Sequence, residues 1–523
     1  MTRKFLFLSL ICFSLISLSA CSLLSKNDTE ESSEKKQKKK KKSDQDESKK
    51  NIDDEEEEEE EVDNSTFEFI DLDVSLDIVN SSQKEGTYRK LELKSSGYDK
   101  LSAVIDELNA NAKAFYEKNV NENLYYLNNY YVGRADNKVF SIFIDEEAFG
   151  NDIDRSKLTS ATYDSQTGKE IHLSDIMDLN FDFDEIYSDF DFDSIIQDPD
   201  EFKSRIKNML ADEAYGKVSS NPEQLTAWNL GYNGVSIFAP VEVQLDDVSY
   251  TKLIQFNIPY SKYPELYNKK YVAKPDDFAF SIATNGEFYY DISGDGKPEH
   301  IKVDSKLDPQ TYFIGEYNID IDGKVTTIST DEMVGYNIRD FIFARVGSKN
   351  YFMFNEIGDN DGRICRVIDL NKAEIVTSTD YEPYLSTSSY SNIFYNPKNM
   401  LLSNTIYTIS TIHVSNLYEF GSDEHFKEKS NIYNVESRFD FTSKIDLTVD
   451  VVSEDGSITE SITIPTGTHF YPYQTDINSY TDYKLSDGRT VRIPLTFDEE
   501  MGYGYTVQGL PIGDVFDGLV FAG

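Results

Sequence analysis

Tyr163-Asp164-Ser165-Gln166-Thr167-Gly168-Lys169-Glu170-Ile171-His172-Leu173-Ser174-Asp175-Ile176 reads as strand, turn, strand and helix in fourteen residues. Gln166–Lys169 has the composition of a hairpin turn, with Gly168 free to take a left-handed backbone. Ala161–Asp164 is a short strand before it, and Ile171-His172-Leu173 re-enters the sheet after it. Ser174 suits the cap of a short helix over Asp175–Leu179. Upstream, Phe67, Phe69, Leu72, Val74, Leu76 and Ile78 alternate as a strand does. Leu101, Val104, Ile105, Leu108, Ala112 and Phe115 then fall at helical spacing. Strands are expected at Asn123–Val132 and Lys138–Phe143. Downstream come the acidic-aromatic run Phe181–Ile196 and a helix over Glu201–Tyr215, with Phe202, Ile206, Met209 and Leu210 on one face. Trp228-Asn229-Leu230, the turn Gly231–Gly234, Val235–Phe238, Val241–Leu245 and Lys252–Ile258 complete a first folded unit, residues 66–275.

The order of these elements resembles the extracytoplasmic α+β domain of the RsiV anti-sigma factors, which also precedes the deacetylase of PdaC-type proteins. The likeness is carried by Arg134–Ile142, Tyr163–Ile176, Gly234–Phe238 and Ile258-Pro259-Tyr260, and it covers about 200 residues. The most specific piece is the Asp…Thr-Gly-Lys…Leu-Ser-Asp segment. The resemblance implies an α+β fold and, since the RsiV domain binds lysozyme, an envelope ligand-binding role. Gly133-Arg134-Ala135-Asp136 stands where that family has a Gly-Gly-Ala-His-like segment, so no histidine role carries over. The transmembrane helix and sigma-binding segment of RsiV have no counterpart, nor has the deacetylase domain. Anti-sigma and deacetylase activities are therefore not implied.

Residues 276–455 read as short strands separated by glycine and aspartate turns, a propeller-like or irregular β domain. Asp291-Ile292-Ser293-Gly294-Asp295-Gly296-Lys297-Pro298-Glu299 resembles the calcium loop of FG-GAP propeller blades. Oxygens of Asp291, Ser293 and Asp295, the Lys297 carbonyl and Glu299 are spaced to wrap one Ca²⁺, with Gly296 making the sharp turn. The competing reading is a plain Asp-Gly hairpin turn. The twelfth position holds Lys302, and Ser293 in place of an aspartate removes a charge, so affinity should be weak. A sister loop, Asp359-Asn360-Asp361-Gly362, lacks a first ligand because Ile357 stands there. Residues 456–523 carry short strands and the hairpin signal Ser486-Asp487-Gly488, as a small SH3-like β-barrel would. Tyr471, Tyr473, Tyr480 and Tyr483 either line a groove for glycan or peptide or simply pack that barrel.

The amino terminus supplies an address. Arg3 and Lys4 precede an apolar run from Phe5 to Leu18, so residues 1–20 read as a signal peptide. Leu18-Ser19-Ala20-Cys21 resembles the lipobox of bacterial lipoproteins. That likeness implies cleavage between Ala20 and Cys21, with Cys21 carrying diacylglycerol and palmitate in the cell membrane. Residues 21–65 follow as a charged tether: seven lysines lie within Lys35–Lys42 and nine consecutive carboxylates within Asp53–Glu61, a composition that builds no core.

The 523 residues hold 51 basic and 94 acidic side chains, a formal charge of −43. Such a surface repels nucleic acid and favours a cation or a basic partner. Outside residues 1–21 the single cysteine is Cys365, in an apolar run, so no intramolecular disulfide is expected in a mature chain. The five histidines (His172, His300, His413, His425 and His469) show no metal-ligand spacing, and no nucleophile elbow, phosphate loop or Cys-x-x-Cys occurs. The expectation is a non-enzymatic surface lipoprotein that binds or senses peptidoglycan or a basic protein such as lysozyme. The alternatives are a wall-remodelling enzyme or its accessory subunit, and a structural surface protein with no specific ligand.

Overall fold

The turn at Asp164 forms for a local reason. Asp164 Oδ1 accepts hydrogen bonds from the Gln166 and Thr167 amides (3.1 and 2.9 Å) and from Thr167 Oγ1 (2.8 Å). Gly168 takes φ +64°, and its amide donates to the Asp164 carbonyl at 2.8 Å. The computed structural model describes residues 67–521 except 81–84, 121–123, 151–152, 191–195, 197, 215–225, 246–247, 331–334, 359–362, 377–382, 386–391, 437–439, 454 and 499–503. The signal peptide, Ala20, Cys21, the tether and the sister loop 359–362 lie outside the described residues.

After the turn the chain departs from expectation. The return to the sheet is a single bridge, Tyr163 to Glu170. The helix is Leu173–Ile176, not Asp175–Leu179, because Leu173 and Ile176 bury on one face. Asp175, not Ser174, closes its start, accepting the His172 amide at 3.0 Å. The later helix runs Pro199–Ala214, with proline at its first position and Asp198 Oδ1 accepting from the Glu201 amide at 3.0 Å.

The strands around the turn are longer than alternation suggested: Tyr125–Ala135, Val139–Gly150 and Ile153–Asp164. The middle strand passes through Asp145-Glu146-Glu147. A strand tolerates Glu146 there because Lys157 (2.6 Å) and Tyr126 Oη (3.1 Å) satisfy its carboxylate. One face of this sheet packs Phe140, Ile142 and Ile144 with Leu101, Ile105 and Leu108 of the helix Asp99–Val120. The other stacks Tyr131 and Phe143, ring centres 4.3 Å apart, and meets Phe238 of a three-stranded sheet. That sheet comprises Ala227–Gly231, Gly234–Leu245 and Val248–Pro259. Phe183, Phe202 and Ile206 share a core with it.

The rest of the described chain is β-rich. Glu287–Tyr290, Glu299–Leu307, Ile314–Ile321 and Lys324–Ser329 form a consecutive antiparallel meander. Gly335–Val346, Lys349–Gly358 and Arg363–Asp369 build a second sheet, with Phe278–Ser281 at one edge. Cys365 is buried in it beside Val367 and Met353. Hydrogen bonding crosses the positions at which composition suggested divisions. Asn392–Ile393 adds a parallel strand against Tyr131 and Val132, and Leu447–Val452 pairs with both Ile458–Ile464 and Thr490–Pro494.

The expected small barrel at 456–523 is not formed, since no sheet among the described residues closes on itself. Its strands instead extend an open sheet that runs from Tyr384–Leu385 to Ile458–Ile464. The reason lies in His469–Thr475, which pairs outward with Tyr433–Val435 as well as with Tyr480–Lys484. At the carboxyl end Val515 and Phe516 enter a core, whereas Phe521 is 63% exposed.

Candidate functional site

The Asp291–Glu299 loop joins the first two strands of the meander. Asp291 organises it: Oδ1 accepts the amides of Gly294 (2.6 Å) and Asp295 (3.1 Å), and Oδ2 accepts that of Gly296 (2.8 Å). Gly294 and Gly296 hold φ of +76° and +84°, which is why glycines stand there. Asp295 Oδ1 accepts the Lys297 amide at 2.9 Å, and Glu299 Oε2 reaches back to the Ile292 amide at 2.8 Å. Carboxylate oxygens of Asp291, Asp295 and Glu299 all lie within 4.8 Å of one another. Ser293 Oγ, the expected third-position ligand, turns to Asp291 Oδ1 at 3.4 Å.

Three hard oxygen donors at this spacing fit a divalent cation of the calcium type. The fit is tempered by positive charge beneath the loop. Lys274 Nζ lies over the rings of Tyr290 (4.6 Å) and Phe278 (4.9 Å). Burial first, then Arg345, bring its pKa down to about 8, against the pull of Asp291. A cation in the loop therefore shares the field of Asp291 with Lys274.

The four tyrosines do not share a groove. Tyr483 is wholly buried in the carboxyl-terminal core, against Phe441 and Phe470, and Tyr471 is also buried. Tyr480 and Tyr483 have opposite parity on one strand, so they point to opposite faces. Tyr480 is partly exposed beneath the Arg492 guanidinium, 3.6 Å from the ring centre. Tyr473 has Lys484 Nζ at 4.4 Å from its ring centre. Its hydroxyl pKa is raised by burial and then by Glu92, with Asp73 and Asp77 adding to the rise and Lys94 opposing it, which sets this tyrosine beside the hairpin Leu72–Asn80/Glu85–Leu93.

The structure also assembles groups that the sequence holds far apart. Asp189, in the acidic-aromatic run, pairs with Lys262 (2.6 Å) and accepts from the Tyr263 hydroxyl. Lys262 Nζ sits 3.8 Å from the Tyr289 ring centre, and Tyr289 stacks on His300 at 4.6 Å. Burial pushes the Asp189 pKa up, but Lys262 and Tyr263 outweigh it and hold the carboxyl below its usual range. The density of Asp and Phe signalled this region, but nothing in the sequence named Lys262 or His300 as its partners. Deeper, Arg134 donates to Asp136 Oδ2 (2.7 Å) and to the Tyr271 carbonyl (2.6 Å), and the Tyr232 hydroxyl donates to the same Asp136 oxygen (3.0 Å). Arg134 and Asp136 thus form a buried structural ion pair.

No helix among the described residues is long and apolar enough to cross a membrane. No family model matches this chain, and no curated protein does.

Proposed function

We propose that this protein is a lipid-anchored envelope protein whose folded part binds a basic protein such as lysozyme, or peptidoglycan, at the extracytoplasmic face of the cell membrane. The observation that carries the reading is the excess of 94 acidic over 51 basic side chains in a chain that opens on a lipobox-like Leu18–Cys21. Residues 66–275 serve as an RsiV-like α+β domain. In its favour, both described helices longer than ten residues, Asp99–Val120 and Pro199–Ala214, fall within it. Residues 276–455 serve as a propeller-like or irregular β platform. The consecutive four-stranded order of the meander favours this reading. The Asp291 loop is its calcium site, of weak affinity, in the ~10⁻⁴–10⁻³ M range of extracellular modules.

The test is binding of residues 22–523 to lysozyme, measured by calorimetry from low to physiological salt beside a second basic protein of equal net charge. Specific recognition retains lysozyme at ~0.15 M salt, where the Debye length is about 8 Å, and loses the control protein. Equal loss of both reduces the interaction to general charge attraction and sinks the lysozyme reading.

A further inference from the structure

Three glycines and three asparagines meet where the first sheets join the strand Phe278–Ser281. Gly133 is the bulge residue of Tyr125–Ala135, falling between the register pairs Val132–Ile142 and Arg134–Ser141. Gly231 and Gly234 end the hairpin of the three-stranded sheet. Between them lies a cavity with about 10 Å³ of room for the centre of a water-sized sphere, lined also by Asn229, Ser236 and Asn257. About 10–15 Å³ of such room is what one water molecule requires.

The lining is polar and its hydrogen bonding is incomplete in one place. Asn257 is 8% exposed, and its Nδ2 donates to Ser236 Oγ (2.9 Å) and the Ser281 carbonyl (3.3 Å). Its Oδ1 is buried without a hydrogen-bond partner among the described residues. Ser236 Oγ also accepts from Gln255 Nε2 at 3.3 Å. With both lone pairs of that oxygen engaged, the Ser236 hydroxyl proton is left to donate. The residues that carry this acceptor and this donor, Asn257 and Ser236, therefore line the same water-sized space. A buried carbonyl oxygen left unpaired keeps its full desolvation penalty, which selects for an occupant that can donate to it.

We propose that this cavity binds one internal water molecule, which donates to Asn257 Oδ1 and accepts from the Ser236 hydroxyl. It thereby completes the joint between the three-stranded sheet and Phe278–Ser281. The glycines are part of the site. A Cβ on Gly231 would lie 3.6 Å from the Gly234 carbonyl and 3.8 Å from both the Gly133 carbonyl and Phe280 Cβ. Those are ordinary contacts that fill the space without collision.

The test is a crystal structure of residues 22–523 together with ¹⁷O relaxation dispersion of the same protein and of Gly231→Ala. The expected result is density for one water ~2.7–3.1 Å from Asn257 Oδ1, and one fewer long-lived water in Gly231→Ala. A dry cavity in the wild-type crystal, or a metal ion in it, overturns the proposal, as do equal water counts in the two proteins. If Gly231→Ala fails to fold, the wild-type density alone decides.

Discussion

Two groups of carboxylates in this molecule have opposite fates. Asp291, Asp295 and Glu299 stand at a loop on the surface, each stabilised by backbone amides and none by an ion pair among the described contacts. Glu436, by contrast, is 4% exposed and locked to Arg89, which is 1% exposed, at 2.9 Å. Arg89 also donates to Asn129 Oδ1 (2.7 Å), and Ser415 Oγ donates to the other Glu436 oxygen (2.6 Å). Glu356 repeats this pattern with Arg366 (2.6 Å), Tyr317 (2.7 Å) and the Gly335 amide (2.6 Å). The difference teaches where charge acts in so acidic a chain. Glu436 and Glu356 bring their own cations into the core and hold the fold, whereas the three loop carboxylates are held by backbone amides.

The largest effect expected from this contrast is at the buried pair. Arg89→Met leaves Glu436 buried without its cation and should destabilise by about 3–5 kcal/mol in urea unfolding. A loss under about 1 kcal/mol would show that Glu436 reaches solvent and would erase the distinction. Next comes Asp73, an intermediate case on the amino-terminal hairpin. Burial pushes its pKa up to about 6, although Lys94 lies 3.7 Å away. Its folded form holds a proton more tightly than the unfolded chain does. Its contribution to stability should therefore fall as pH rises from about 4 to about 6 and stay level above. The fall is on the order of 2–3 kcal/mol. Urea midpoints of wild type and Asp73→Asn at pH 4, 5, 6 and 7 should diverge over that window, and parallel curves would refute the assignment.

The surface loop should respond more modestly. At ten times its dissociation constant, Ca²⁺ adds about 1.4 kcal/mol. In a chain of this size that amounts to a rise in Tm of about 1–2 °C. Asp291→Asn should abolish it, and an unchanged wild-type Tm at 10 mM Ca²⁺ would return the loop to a plain turn. The smallest effect belongs to an exposed ion pair, Lys306–Glu316 at 3.0 Å. Lys306→Ala should move stability by no more than ~0.5 kcal/mol in the same assay, and a larger loss would blur the line between surface and buried charge.

What was legible in the sequence was local. The turn at Asp164–Gly168 and the hairpin at Asp487–Gly488 follow from side chains that bond their own backbone, and both formed where expected. The turn at Asp291 was likewise readable, because its carboxylates and the amides they accept from lie within nine residues. Strand length was not. Asp145-Glu146-Glu147 looks like a strand end until Lys157 and Tyr126 are known to satisfy Glu146. The tyrosine groove failed for a related reason. Parity along Tyr480–Lys484 separates Tyr480 from Tyr483, but which face is buried depends on Phe441, Phe470 and Phe516, brought in from elsewhere. Least readable of all was Arg89–Glu436, a pair whose members stand 347 positions apart.

The parallel strand Asn392–Ile393 has a consequence in time. The strand Tyr125–Ala135 emerges from the ribosome some 260 residues before the segment that covers its edge. At ~5–20 residues per second that interval is on the order of 13–50 s. Through it, the edge at Tyr131 and Val132 is an open template for pairing with other chains. A nascent or truncated chain ending before residue 392 should therefore depend on a chaperone in a way the finished protein does not.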